Sequence, residues 1–390
     1  MKRKRGKLAK KKISDDLRTI RGSLAPIPFD LIPDILKALP VKTLARFLCV
    51  SKQYESIIRN KDFMKSYLIK SSTRPQSLIF TFEDKSHRNR FFFSASRGES
   101  SSPSSSSVAT YHMKCISHPE TTVSPSVHGL ICYGPPNHLM VYNPSTRRSV
   151  TLPQFVSHGL DMYHFLGYDP INEDYKVLCM MKRMTNLGGY GLAKDLRVLT
   201  LGNGNSWRMI QDCPPPHSPE SLDICINGVL YYEAVFETDE HQAVMSFDVR
   251  SEKYDLIKVP ESATLTKLTS YEGKLAVMNS TTAGISCTCR IDLWVLVDAA
   301  KHEWCNKVFA LDLWITECCY QAFCLTDAGE FVLGPDTLRG DQTRFSVLYY
   351  DPKKNSLRKV YIEGITERTL PLRSNIISIF SGQVENLMFL

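Results

Sequence analysis

The sequence predicts a mainly β protein, a β-propeller of about six blades preceded by a small all-α domain. Two observations predict the propeller: a repeat of about fifty residues between positions 127 and 364, and the short strands that each copy contains. A third observation predicts the helices, because apolar residues recur at helical spacing between positions 26 and 70.

The net charge of +8 comes entirely from the N-terminal tail. The first twelve of the 390 residues hold eight basic residues and no acid, so the other 378 positions carry 40 basic and 40 acidic residues. A neutral body argues against a globally basic nucleic-acid-binding domain, and we expect no nucleic-acid partner. We interpret residues 1–25 as a disordered tail, which is either a solvated segment or a nuclear import signal. The basic residues assigned to that signal are Lys2, Arg3, Lys4, Arg5, Lys10, Lys11 and Lys12.

Three features bear on where the chain resides. No stretch approaches the roughly 18 apolar residues of a membrane helix, so we expect no membrane span. The charged N-terminus is not followed by the apolar run of a secretory signal. Twelve cysteines are scattered without a Cys-x-x-Cys pair, and we expect them to be reduced. The expected location is therefore the nucleus, the cytoplasm or both.

Residues 26–70 predict four short helices. Asp30 is a candidate cap for the first helix, Pro40 ends it, and Asp62 is a candidate cap for the fourth. About 45 residues are few for an independent core. We therefore expect several apolar side chains of this region to face a partner.

Turn signals define the repeat. A strand that ends in Asp or Asn is followed by a second strand at Asn143, Asp248, Asp298 and Asp351, with a fifth copy near Leu201. Asp or Asn at the first position favours a type I turn. Upstream of several copies, a Gly before an apolar run permits the positive φ of another hairpin. Because one small sheet cannot bury both of its faces, we expect these sheets to stack around an axis as blades.

Two segments at opposite ends of the repeats complete the expected ring. Residues 77–116 and 375–390 lie outside the five copies, and together they predict a sixth blade that joins the chain ends. We place its C-terminal strand near Val384–Leu390, where an unpaired apolar edge would be adhesive. Residues Ser94–Ser107 hold nine serines in fourteen positions and predict a mobile loop inside this domain, which spans 77–390.

The helical segment resembles the F-box. The family's pattern is read in Ile27-Pro28, Ile35-Leu36, Leu39-Pro40 and Val50-Ser51-Lys52-Gln53-Tyr54, with Ile for Leu at 27, Ser for Cys at 51 and Tyr for Trp at 54. The resemblance implies docking onto the Skp adaptor of a cullin–RING ubiquitin ligase. It carries over as adaptor-facing the positions Ile27, Pro28, Ile35, Leu36, Leu39, Pro40, Leu44 and Val50. Some of these serve the domain's own core instead, and Leu44 and Val50 fit either role.

The strand region resembles the F-box-associated domain of the large plant F-box family. The resemblance lies in VHGLICY at 127, VYNPSTRRSVTLP at 141, FLGYDPINEDYKVLCM at 165, NSWRMI at 205 and INGVLYYEA at 226. Such domains are similar to kelch-type propellers and are taken to present the target of the ligase. We interpret these residues as turn and core residues of blades and assign none of them to binding.

Catalytic and metal motifs are weak in this sequence. Gly202-x-Gly204 and Gly189-x-Gly191 lack the third glycine and the helix of a dinucleotide-binding fold, and we interpret both as turns. Cys287 and Cys289 share one strand face without a spaced second pair, so we expect core thiols and no metal. We expect no cofactor, and no nucleophile, base and orienting acid can be assembled from these residues.

The leading hypothesis is a non-catalytic substrate receptor of an SCF ubiquitin ligase. Its F-box would bind the Skp adaptor, and through it the cullin and the RING subunit, while its propeller would hold an unidentified target protein. Two alternatives remain open: a propeller scaffold that uses the F-box for assembly only, and a propeller enzyme with a site on the axis. Cullin recruitment and target ubiquitination distinguish the first two, whereas a bound cofactor or metal would favour the third.

Overall fold

The structure is a computed structural model that divides the chain into two compact units. It describes residues 27–84, 86–97, 104–117, 122–135, 138–154, 161–182, 192–202, 206–211, 214–236, 242–283, 288–312, 320–335, 337–338, 344–365 and 375–389. The units are Met1–Phe63 and Met64–Leu390. The boundary after Phe63 lies inside a helix. It comes before position 70, where the helical region predicted from the sequence ends. The basic tail lies outside the described residues.

The four predicted helices are present. A 3₁₀ helix (Phe29–Leu31) precedes α1 (Ile32–Lys37), α2 (Val41–Phe47), α3 (Lys52–Ile58) and α4 (Lys61–Ser72). The Ser51 hydroxyl caps α3 by accepting a hydrogen bond from the Gln53 amide at 3.0 Å. Asp30 lies within the 3₁₀ helix and does not cap α1.

The predicted cap of the fourth helix was wrong by two residues. The side chain of Asn60, not of Asp62, accepts hydrogen bonds from the amides of Asp62 and Phe63, at 2.8 and 3.1 Å. The reason is that α4 begins at Lys61, so its first free amides lie within reach of the residue before it.

The second unit consists of short strands after the end of α4. In the described residues the strands are, in chain order, β1 (Ser77–Asp84), β2 (Asn89–Ala95), β3 (Ser104–Val108), β4 (Thr110–Ile116), β5 (Thr122–Val123), β6 (Ile131–Gly134), β7 (Met140–Asn143), β8 (Arg148–Thr151), β9 (Asp161–Asp169), β10 (Asp174–Lys182), β11 (Ala193–Thr200), β12 (Arg208–Met209), β13 (Ser218–Ile226), β14 (Val229–Val235), β15 (Gln242–Asp248), β16 (Tyr254–Lys258), β17 (Lys267–Tyr271), β18 (Lys274–Ala283), β19 (Thr288–Asp298), β20 (Glu303–Asp312), β21 (Tyr320–Leu325), β22 (Phe331–Pro335), β23 (Thr337–Leu338), β24 (Phe345–Asp351), β25 (Ser356–Glu363) and β26 (Asn375–Gln383).

These strands form six sheets, which confirms the predicted propeller of about six blades. Blades 1 to 4 are the successive groups of four strands from β5 to β20. Blade 5 has the order β21-β22-β24-β25-β3, and blade 6 has the order β23-β26-β1-β2-β4. Apolar clusters fill the spaces between blades, so each blade buries its two faces against its neighbours.

The predicted turn anchors cap their own turns. The Oδ1 atoms of Asn143, Asp248, Asp298 and Asp351 accept hydrogen bonds at 2.6 to 3.4 Å from amides two or three positions later. The fourth residue after each anchor has a φ between +48° and +60°. Asp84 and Asp169 form the same turn but were not identified, because they end strands of other hairpins.

The pairing of the chain ends closes the ring, as predicted. β26 pairs antiparallel with β1, from Ser77 opposite Gln383 to Asp84 opposite Asn375. Phe80 and Phe82 of β1 are fully buried and meet Phe345 of blade 5 edge-on, at 5.5 and 5.4 Å between ring centres. Blade 6 therefore contains strands from both ends of the propeller sequence.

Two local predictions within this closure were wrong. The C-terminal strand is Asn375–Gln383 and not Val384–Leu390, because the alternating buried Ile377 and Ile379 fit β1. The serine-rich loop predicted over 94–107 is partly strand, since β3 pairs in parallel with the outer strand β25. An outer edge leaves backbone groups unpaired, and polar serines suit such an exposed position.

The residues after β26 are held by a buried polar network. The Asn143 amide nitrogen donates to the carbonyl oxygens of Asn386 and Met388, at 3.1 and 2.7 Å. The Asn386 side chain donates to the carbonyl of His128 and to the Tyr175 hydroxyl, at 2.8 Å each. Asn143 thus uses its oxygen for the turn and its nitrogen for the chain end, which Asp at this anchor could not do.

Replacing Asn143 by Asp should lower the free energy of unfolding by about 2–4 kcal/mol, because a buried carboxylate would face two carbonyl oxygens that have lost their donor. Asp351→Asn is the matched control, since its side chain keeps the oxygen that caps the turn and loses only the ion pair with the exposed Lys354 side chain. Urea unfolding of the full chain measures both. Equal, small effects of the two substitutions would contradict the assigned role of Asn143.

Candidate functional sites on the helical unit and in the propeller channel

The helical unit exposes large apolar side chains. Between positions 27 and 50, Ile27, Phe29, Leu31, Ile35 and Val50 are 45 to 67% exposed. Exposed apolar side chains are common singly, but five within one small unit are typical of a protein-binding surface. We call these five residues the exposed apolar set.

The structure divides the predicted adaptor-facing residues into two groups. Ile27, Pro28, Ile35, Pro40 and Val50 are exposed, and Leu39 is half-buried. Leu36 and Leu44 are 2% and 0% exposed and belong to the core. Ile35 and Leu36 differ because adjacent helical residues point about 100° apart.

Two exposed residues were not predicted from the sequence, and one departure from the F-box pattern, Tyr for Trp at 54, bears on helix packing. Phe29 and Leu31 are not among the predicted adaptor-facing residues, yet both lie exposed in the 3₁₀ helix. Tyr54 stands where the F-box pattern has Trp, yet its ring meets Phe47 edge-on at 5.3 Å. The contact between α2 and α3 is therefore made without the indole.

The propeller encloses a channel of about 860 Å³. Residues of β13, β17, β21 and β26 line it, so it runs along the strands that come first or innermost in their blades. Its walls carry hydroxyl side chains, among them Thr81, Thr269 and Ser378. A cavity of this size and polarity can admit a small ligand or an extended side chain.

Lys267 is one of the basic groups of the channel wall. Its Nζ donates to the carbonyl oxygen of Ala322 at 2.6 Å and lies 4.0 Å from the centre of the Phe323 ring. Burial lowers the pKa of Lys267 to about 8. The ammonium is thus held by a carbonyl dipole and a ring face instead of a carboxylate.

Asp223 is a buried acidic group of the channel wall. Its side chain is 8% exposed, and its Oδ2 atom has no hydrogen-bond partner among the described residues. Burial raises the pKa of Asp223 well above its usual value, so the carboxyl is protonated over a wider pH range than an exposed one. The protonated form is a hydrogen-bond donor as well as an acceptor.

The remaining candidate catalytic or metal-binding side chains include His217 and Cys289, which are part of the packed structure. The two ring nitrogens of His217 meet the Pro215 carbonyl and the Tyr232 hydroxyl, at 2.8 and 2.9 Å. Cys289 is buried and free, whereas Cys287 lies outside the described residues. Within the described ranges, His, Cys, Asp and Glu do not gather in a metal-binding group, and the helices there are too short or too polar to cross a membrane.

Comparison with known families matches both units. Residues 77–384 match the F-box associated beta propeller domain, and residues 26–66 match the F-box domain. The chain belongs to the F-box proteins that carry this propeller. The resemblance drawn from the sequence motifs is confirmed.

Relatives from Arabidopsis thaliana match the F-box protein along nearly its whole length. F-box protein At2g21930 is 53% identical and covers 100% of both chains. Putative F-box protein At4g38870 is 46% identical over 93% of this chain and 88% of its own. F-box protein DOR is 36% identical over 92% of this chain and 94% of its own.

Replacing Asp223 of this F-box protein by Asn should stabilise it at pH 7 and change little near pH 4. The raised pKa means that the folded state retains a proton that the unfolded state releases, so stability falls as pH rises from about 4 toward the raised pKa. Neutral Asn removes that loss.

Urea midpoints at the two pH values measure this effect. Asp351→Asn is the control. Burial acts to raise the pKa of Asp351, but its hydrogen bonds with the Lys354 side chain and with the amides of Lys353 and Lys354 lower it overall, which gives the opposite pH dependence. A stability change of Asp223→Asn that is the same at both pH values would refute the assignment.

Proposed function

We propose that this F-box protein is a substrate-receptor subunit of an SCF ubiquitin ligase. The observation that carries the proposal is the exposed apolar set on a unit that matches the F-box domain. Apolar side chains at the centre of an interface supply much of the binding free energy when they are removed from water. The partner that the F-box resemblance implies is a Skp-family adaptor, and through it the cullin and RING subunits.

The propeller is proposed to bind the target protein. Its mechanism is proximity, since holding a target beside the ubiquitin-carrying enzyme raises the effective concentration of a target lysine. The chain itself then makes and breaks no bonds. Its turns are capped by their own Asp and Asn side chains, which restricts the turn backbone, and a surface that is ordered before binding loses less entropy on binding.

Replacing Ile27 and Ile35 together by Ala should abolish adaptor binding without unfolding the chain. Each exposed isoleucine that fills an adaptor pocket should contribute about 2 kcal/mol, so the pair should lose affinity on the order of a thousandfold. Binding to a purified Skp adaptor by calorimetry measures the loss. Ile69→Ala is the matched control, because Ile69 is 67% exposed but lies beyond the residues that match the F-box.

Leu36→Ala distinguishes core from surface in the same assay. Leu36 is buried, so its truncation should lower thermal stability by about 2–5 kcal/mol and weaken adaptor binding only through unfolding. Adaptor binding that survives Ile27→Ala with Ile35→Ala in a folded chain would overturn the proposed function. Adaptor binding without cullin recruitment or target ubiquitination would favour the assembly-only scaffold.

The basic tail is proposed to direct nuclear import, because it carries the whole charge excess in a short, separable segment. Deleting residues 1–12 from a fluorescently tagged chain should shift the protein toward the cytoplasm. Glutamine at the same seven signal positions should give the same shift, and a nuclear fraction unchanged by both variants would exclude the signal.

A further inference from the structure

The serine-rich strand β3 presents one serine outward beside two basic side chains. β3 pairs in parallel with β25, which places Ser106 opposite Tyr361. Alternation along the strand turns Ser107 inward, where it is 5% exposed and donates to the Ser96 carbonyl oxygen at 2.8 Å. Ser106 is exposed, and its hydroxyl has no hydrogen-bond partner among the described residues.

Two cations lie over the ring opposite this serine. The Lys359 Nζ and the Arg344 Cζ lie 5.1 and 5.9 Å from the centre of the Tyr361 ring. Lys359 is two residues from Tyr361 on β25, so both side chains leave the same face of the strand. Neither cation forms an ion pair with a described carboxylate. Glu363 follows on the same face and is the nearest opposing charge along β25.

We propose that Ser106 is a phosphorylation site whose phosphate is bound by Lys359 and Arg344, which fastens β3 to β25. Paired residues on neighbouring strands carry side chains on one face about 5 Å apart, within reach of long basic side chains. A phosphate offers three strong acceptor oxygens, and an arginine and a lysine are its usual partners. In the unmodified protein, Ser106 lies opposite the tyrosine whose ring both cations approach.

The modification requires ATP and a serine/threonine protein kinase. The Ser106 Oγ forms a bond to the γ-phosphorus of ATP, the bond from that phosphorus to the β–γ bridging oxygen breaks, ADP leaves and the hydroxyl proton passes to a base of the kinase. Access is available because β3 is hydrogen-bonded to a neighbouring strand along one edge only and is composed mainly of serine, so little apolar burial opposes its local opening.

Stabilising the pairing of β3 with β25 would also stabilise the contact between blades 5 and 6. β3 belongs to the sheet of blade 5, yet it lies in sequence between β2 and β4 of blade 6. Arg97, just after β2, already links these blades through Glu330 and Asp327, at 2.6 and 2.7 Å. The phosphate would add a second charged link, which the kinase and a phosphatase could make and remove.

Phosphoserine placed at position 106 of the full chain by an expanded genetic code tests whether Lys359 and Arg344 bind the phosphate. Hydrogen exchange of the β3 and β25 amides should slow by roughly 3- to 10-fold relative to unmodified protein, because one or more charge-assisted hydrogen bonds oppose opening. The gain should vanish in Lys359→Gln with Arg344→Gln and increase in Glu363→Gln. Unchanged hydrogen exchange, or a slowing of exchange that persists after both cations are replaced, would overturn the proposal that Lys359 and Arg344 bind the phosphate.

Phosphopeptide mapping of the full chain expressed in plant cells tests the modification itself. Phosphate on Ser106, absent after phosphatase treatment and in Ser106→Ala, is the expected result. Phosphate confined to other serines of the segment, or none at all with phosphatases inhibited, would refute the site. Thermal unfolding of Ser106→Ala should match that of the unmodified chain, because the Ser106 hydroxyl makes no described contact.

Discussion

The pairing of β26 with β1 is the constraint on which the propeller depends. It places a strand from the C-terminal end beside the first strand of the domain, so blade 6 is completed by contacts between opposite ends of the propeller sequence. Contacts of such large sequence separation are entropically costly to form. These contacts are stabilising because they remove the aromatic and aliphatic faces of blades 5 and 6 from water together.

The network beyond β26 makes the same closure specific. Asn386 is buried at 4% exposure, and it is satisfied by groups from two other blades at the ends of their turns. Buried polar groups are costly when unpaired, so the network is stable only when blades 1 and 2 hold the chain end in one register. Asn143 serves both this network and a repeat turn, because its nitrogen donates to the chain end and its oxygen accepts within the turn.

The sequence was sufficient for features that local chemistry determines, and insufficient for features that depend on distant partners. Asp and Asn at repeated positions predicted the turns because the same side chain accepts from its own backbone. The strand character of Ser104–Val108 was missed because it depends on the free edge of β25, which is more than 250 residues away. Likewise, helical spacing identified Ile35 and Leu36 as apolar but not which of the two is exposed.

We propose that recognition is divided between the two units, with the exposed apolar set for the adaptor and the propeller for the target. Hydrogen exchange of the full chain, alone and with a purified Skp adaptor, tests it most directly. We expect slowed exchange within residues 27–58 and unchanged exchange in the strands that line the channel. Protection confined to the propeller, or no protection at saturating adaptor, would contradict it.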